Sequence, residues 1–163
     1  RELLQVTGAP ADFGNPVEVG TTVLGILWYS AYATADANQR LGGQPYDNAT
    51  RVYRGSSDDA ALNQGVGRFT ADPAARAAIG RFETSGRLSV PLVTLHTTGN
   101  PVVPFVHDSL YAAKAASAGS AELLRQRPVE RYGHCSFSRD DLLGGFFTLL
   151  GIPSLPSQRS SSR

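Results

Sequence analysis

The chain has 163 residues, 41% of them apolar and 18% charged, and a formal charge of +1. That length suits one domain or part of one, and the arginines are scattered among acids, leaving no basic face for a nucleic-acid partner. No apolar run is long enough for a membrane span, and Cys135, the single cysteine, excludes an internal disulfide and a thiolate metal cage.

The start, Arg1-Glu2-Leu3-Leu4, has no initiator Met and no signal-peptide layout, and the chain contains no Met at all. The expectation is a polypeptide that begins partway through a longer protein, with the compartment left open. Arg1 to Gly14 is short and punctuated by Gly and Pro. From Pro16 to Ala37 apolar residues recur at spacings of three and four, which predicts a helix with Asn15 as N-cap and Pro16 in its first turn. The β-branched content keeps a strand open as the alternative for Thr21 to Leu24. Leu41 to Gly67 is rich in Gly, Asn, Asp and Ser, so turns with a short helix or two are expected. Asp72-Pro73 starts a helix running to about Thr84, with Ile79 and Phe82 on its buried face, and Ser85-Gly86 stops it.

Val90 to His96 is a short β-branched apolar run between Pro91 and the polar Thr97, Thr98, Gly99 and Asn100. It predicts a buried strand emptying into a loop. Val106 to Ala118 is a predicted helix with Val106, Leu110, Ala113 and Ala116/Ser117 on one face, closed by Gly119. Glu122 to Tyr132 holds the second strand, and its strand-like run Pro128 to Tyr132 opens into Gly133-His134-Cys135. Ser138 then caps a last helix with Asp140 and Asp141 in its first turn. Leu142, Leu143, Phe146, Phe147 and Leu150 form its apolar face, with Gly151 and Pro153 as the stop and a loose tail beyond.

Strand, loop, helix, strand, loop, helix is α/β grammar with parallel strands. Two strands alone would leave apolar edges open. The missing strands are therefore expected from an N-terminal part, a second chain or a copy of this one, so a homo-oligomer is one option.

The run GRLSVPLVTLHTTGNPVVP, then Tyr111 in a helix, then RYGHCSF and a closing helix, resembles the C-terminal part of an α/β-hydrolase of the esterase/lipase type. In such enzymes the nucleophile sits at a G-x-S-x-G elbow, the acid follows a later strand, and the histidine follows the last strand. The upstream block, LWYSAYATADANQRLGGQPYDN and YRGSSDDAALNQGV, resembles the helical cap that many of them insert. The resemblance implies residues 1–87 as a cap-like segment, 88–152 as the strand-helix-strand-helix part of the hydrolase core, and 153–163 as a flexible tail. It also implies His134 as the catalytic histidine and Asn100 at the acid position, where G-D-x-x-V-P is usual. Two departures stand out. No G-x-S-x-G occurs in the chain, so the serine would lie upstream or be absent. Asn100 cannot be a carboxylate, although its carbonyl oxygen could still accept from the histidine; the acid could also lie on an earlier strand outside this chain.

Other residues have competing readings. His96 at the strand end is expected to be a buried or half-buried core histidine, and His107 a surface one. The spacings of His96, His107 and His134 are not those zinc sites favour, so no metal and no cofactor is expected. Cys135 as nucleophile is set against a packed structural thiol, since neighbouring side chains on an extended loop point apart; the thiol is the expected role. Asp58-Asp59 is read as a helix cap before Leu62. Trp28 and Tyr29, with Tyr32, are either substrate-binding residues of an acyl pocket or core.

The sequence thus predicts the cap and C-terminal section of a serine hydrolase acting on small-molecule carboxylic esters, inert alone. The alternative is a non-catalytic relative that keeps the scaffold for binding or association.

Overall fold

A computed structural model describes residues 1–151. It is a mixed α/β chain with a small parallel sheet, and it divides into two compact units, Arg1–Thr84 and Ser85–Arg163. The Pro153 stop and the 153–163 tail lie outside the described residues.

The first unit is helical. Helix α1 (Glu2–Thr7) buries Leu4. Helix α2 (Pro16–Trp28) starts where local chemistry dictates: the Asn15 side chain accepts from the Val17 and Glu18 amides, and Pro16 occupies the first turn. The alternative strand at Thr21 to Leu24 does not form. Instead the predicted helix continues through a π-helical turn, Tyr29–Ala33, into α3 (Thr34–Leu41). The Thr34 hydroxyl donates to the Tyr29 carbonyl at 3.0 Å within that turn. Residues 42–72 hold one short helix, α4 (Asp59–Gly65), capped by Asp58 through the Ala61 amide. Asp59 caps nothing; it accepts from the Ser56 hydroxyl and from the Ser56 and Gly55 amides, which hold its carboxyl below the ordinary value.

The turn region is tied by polar side chains in place of an apolar core. Asn63 accepts from the Tyr53 amide at 2.8 Å and donates to the Tyr53 carbonyl at 2.7 Å, while Arg68 donates to the carbonyls of Asn48, Arg51 and Asn63. Helix α5 (Pro73–Gly80) is capped by Asp72, as expected. It ends four residues short of Thr84, and Ile79 and Phe82 are exposed, not buried. The buried side chain is Ala75, because α5 lies on α3 through its small residues.

The second unit is a βαβα segment. Strand β1 (Leu92–Gly99) leads through a loop to α6 (Val106–Ser117), a 3₁₀ turn (Ala121–Leu123), β2 (Leu124–Tyr132) and α7 (Arg139–Leu149). The strands pair in parallel, Leu92 opposite Leu124 through to Thr97 opposite Val129. The register then shifts, and Gly99 faces Tyr132. The shift places one extra residue in β2, a bulge of the kind that re-aims a strand end beside a site.

Both flanking helices turn the opposite face to the one expected. On α6 the covered positions are Asp108, Tyr111, Ala112 and Ala115, while Val106 and Leu110 are more than half exposed. On α7 Gly144 and Gly145 are buried, a Cβ on Gly145 would strike the Leu95 side chain, and Leu142, Phe146 and Leu150 are more than half exposed. Phe147 alone of the expected face is half-buried. Small residues let α7 approach the strands closely, and the bulky ones point away. Among the described residues the fully buried apolar side chains are Leu4, Ala75 and Ala115.

The start of α7 carries a capping box, as the sequence predicts. The Ser138 hydroxyl accepts from the Asp141 amide, and Asp141 accepts from the Ser138 amide and hydroxyl, both at 2.7 Å. With Arg131 Nη1 at 2.6 Å, these bonds, led by the Ser138 hydroxyl, hold the Asp141 carboxyl at about 2 against an ordinary 3.8. A depressed carboxylate stabilises the folded form fully above its unfolded value and loses that contribution on protonation. Amide protection in the first turn of α7 is therefore expected to fall between pH 3.8 and about 2. Asp141→Ala should abolish that acid step and cost about 1 kcal/mol at neutral pH, read by chemical denaturation.

Candidate functional site

Two strand ends build the site. At the end of β1, Thr97 is fully buried and its hydroxyl donates to the Gly133 carbonyl at 2.5 Å. The Gly133 amide donates to the Gly99 carbonyl at 3.1 Å, so the two loops are bonded together just beyond the sheet. Gly133 sits at φ 109°, where L side chains are strained, and a Cβ there would run into the Ser136 side chain. With the bulge in β2, this turn brings His134 over the β1 loop.

Asn100 is 4% exposed. Its Oδ1 accepts from the amides of Val102 and Val103, each at 2.9 Å, an Asx-type turn that fixes the side-chain plane. The amide nitrogen then faces His134 Nδ1 at 3.1 Å. An NH₂ group can only donate, so Nδ1 is the acceptor and the neutral ring carries its proton on Nε2. The sequence left room for the Asn100 carbonyl to accept from the histidine; the two backbone amides already occupy that oxygen. A serine base needs the opposite tautomer, with Nδ1–H held by an acid and Nε2 free to accept.

Cys135 departs from its expected role. It is exposed, not packed. It is also the one non-glycine among the described residues with positive φ, 54°. In that left-handed conformation its Sγ comes to 3.7 Å from His134 Nε2, so these neighbours do not point apart. The thiol is a weak acceptor for the Nε2 proton. His134 is itself exposed, as is His107.

His96 is half-buried, in line with expectation, but its partner was not legible. Nδ1 lies 2.8 Å from Asp108 Oδ1 and Nε2 lies 3.0 Å from the Val103 carbonyl, with Phe105 edge-on to the ring at 5.4 Å. Asp108 Oδ2 is buried without a hydrogen-bond partner among the described residues, an arrangement that costs about 1–3 kcal/mol. A first-turn acid on α6 was the only sequence signal for this contact.

Trp28 and Tyr29 lie in the first unit. Their rings meet edge to face at 5.1 Å, and Trp28 and Tyr32 meet at 6.1 Å. All three are exposed, so they are not core; Trp28 and Tyr32 line an apolar surface hollow with Leu24, Leu27 and Ala31, and Tyr29 does not. Among the described residues no group of three or more His, Cys, Asp or Glu is placed to hold a metal ion. No helix of the described residues is long and apolar enough to cross a membrane.

No protein-family model, no curated protein and no solved structure matches the chain. What the fold and site define is a class of arrangement: two loops joined at the carboxyl ends of adjacent parallel strands, one presenting a histidine and the other an amide bonded to it.

Proposed function

We propose that the chain is the cap and C-terminal portion of a serine α/β-hydrolase acting on carboxylic esters. His134 stands as the histidine and Asn100 in the acid position, and the serine and remaining strands come from a preceding segment or a second chain. One observation carries the reading: Asn100 and His134 converge, 3.1 Å apart, in the crevice beyond two adjacent parallel strands, where open α/β sheets place their ligands. The exposed apolar faces of α6 and α7 support the presence of further covering chain. In the first unit, taken by itself, Trp28 and Tyr32 line an apolar hollow of the kind an acyl chain occupies.

The direction of the Asn100–His134 bond favours a second reading, a relative that retains the scaffold for binding or association and has lost base catalysis. Fluorophosphonate labelling of the native protein that contains this chain separates the two. The hydrolase reading expects one labelled serine outside residues 1–163, with labelling slowed by His134→Ala. An unlabelled protein would favour the non-catalytic relative. Hydrolysis of a short p-nitrophenyl ester by residues 1–163 alone, lost on His134→Ala, would overturn the need for a second segment.

A further inference from the structure

His96 and Asp108 take no part in the proposed relay, yet they are bonded to it. The two side chains are 12% and 14% exposed, so solvent screens them little. Both ring nitrogens of His96 face oxygen acceptors, the Asp108 carboxylate and the Val103 carbonyl. Each of these oxygens accepts, so in either bond it is the ring N–H that donates. A histidine that only filled space would need neither partner, and an apolar side chain there would leave both oxygens of the Asp108 carboxylate unbonded.

We infer that His96 and Asp108 are positioning residues, which hold the residue-100 loop so that Asn100 can fix the tautomer of His134. The bonds form one continuous chain. Asp108 holds His96 at 2.8 Å, and His96 holds the Val103 carbonyl at 3.0 Å. The Val103 amide donates to Asn100 Oδ1 at 2.9 Å, and Asn100 Nδ2 donates to His134 Nδ1 at 3.1 Å. Val103 is the pivot: its carbonyl is anchored by His96 and its amide holds the Asn100 side chain. Asp108 is anchored in turn, because the Gln126 side chain donates to its main-chain carbonyl at 2.8 Å and ties the start of α6 to β2. The β1 loop is thereby braced against the strand that delivers His134. Without the brace, the Val102–Val103 segment is free to release Oδ1, and the Asn100 amide can turn over. His134 then exchanges between its two tautomers.

The inference rests on the hydrolase reading only for the catalytic meaning of the loop, so its test is spectroscopic and does not require turnover. The native protein is labelled with ¹⁵N-histidine, and the His134 ring nitrogens are assigned by their loss in His134→Gln. The parent should show one tautomer, with Nδ1 unprotonated and Nε2 protonated. In His96→Leu the two nitrogen shifts should move toward the average of the tautomers. Asp108→Ala, which leaves the ring in place but unanchored, should do the same and serves where His96→Leu does not fold. Asp108→Asn keeps an Oδ1 acceptor and should restore the parent spectrum. Thr148→Ala controls for lost stability in the same unit: it removes the hydroxyl that Arg127 bonds at 2.9 Å, far along α7 from this loop. It should lower the melting temperature and leave the His134 spectrum unchanged. A folded His96→Leu or Asp108→Ala protein with the parent spectrum would overturn the inference, as would an equal disturbance in Thr148→Ala. Failure of fluorophosphonate labelling would remove the hydrolase reading and leave this result standing.

Discussion

Asn100→Asp should reverse the bond between the two loops. The variant is isosteric, so one carboxylate oxygen can keep the Val102 and Val103 amides, now at 2.9 Å. The other oxygen takes the place of the amide nitrogen, 3.1 Å from His134 Nδ1. An oxygen there accepts, so the ring proton moves to Nδ1 and Nε2 becomes free as a base. Nitrogen-15 spectra should show the His134 tautomer inverted between parent and variant. In a protein that also supplies the serine, ester turnover should rise by up to about 10⁴, the loss that the reverse change produces in a serine protease. The two readouts fail separately. An inverted tautomer without added turnover would exclude a role for residue 100 in hydrolysis, while an unchanged tautomer would mean that the Asx turn does not fix the amide as the distances require.

The same turn explains what the sequence could and could not disclose. Caps were legible because their chemistry is local: Asn15, Asp58, Asp72 and Ser138 each sit just ahead of a helix start and bond to amides two or three residues on. The order of strands and helices around residues 88–150 was legible from β-branched runs and breakers. The facing of α6 and α7 was not. Apolar residues at helical spacing were assigned to the interior, yet Asp108 turns in, where His96 binds its carboxylate and Gln126 its main-chain carbonyl, and Gly144 and Gly145 turn in because the strands lie close. Both causes are partners distant in sequence. Asn100 and His134 were identified by their places after two strands, but the direction of the bond between them depends on which oxygen the backbone occupies. Cys135 was misplaced for a related reason. Its approach to His134 needs a left-handed φ that extended-loop geometry does not contain.

Gly86→Ala should cost more stability in the second unit than any other single-methyl change. Gly86 has φ +72°, and a Cβ built on it would clash with the Lys114 carbonyl group and the Ala115 nitrogen, the latter at 2.7 Å. Those are backbone atoms in the last turn of α6, and they cannot swing aside as a flexible side chain would. The crossing is also locked by Ser120, 5% exposed, whose hydroxyl donates to the Gly86 carbonyl at 2.6 Å and accepts from the Leu88 amide at 3.2 Å. Left-handed strain alone costs about 1 kcal/mol at such a position, and overpacking against fixed atoms adds about 1–3 kcal/mol. A loss of roughly 3 kcal/mol or more is therefore expected for Gly86→Ala, measured by urea denaturation. Ser120→Ala leaves the Gly86 carbonyl and the Leu88 amide unbonded and should cost about 1–3 kcal/mol. Because this crossing sets where the segment enters β1, a partly folded Gly86→Ala protein should also lose the single-tautomer spectrum of His134. A Gly86→Ala protein as stable as the parent would show that α6 can slide along the sheet, and the fixed placement of Asp108 beneath the residue-100 loop would fall with it.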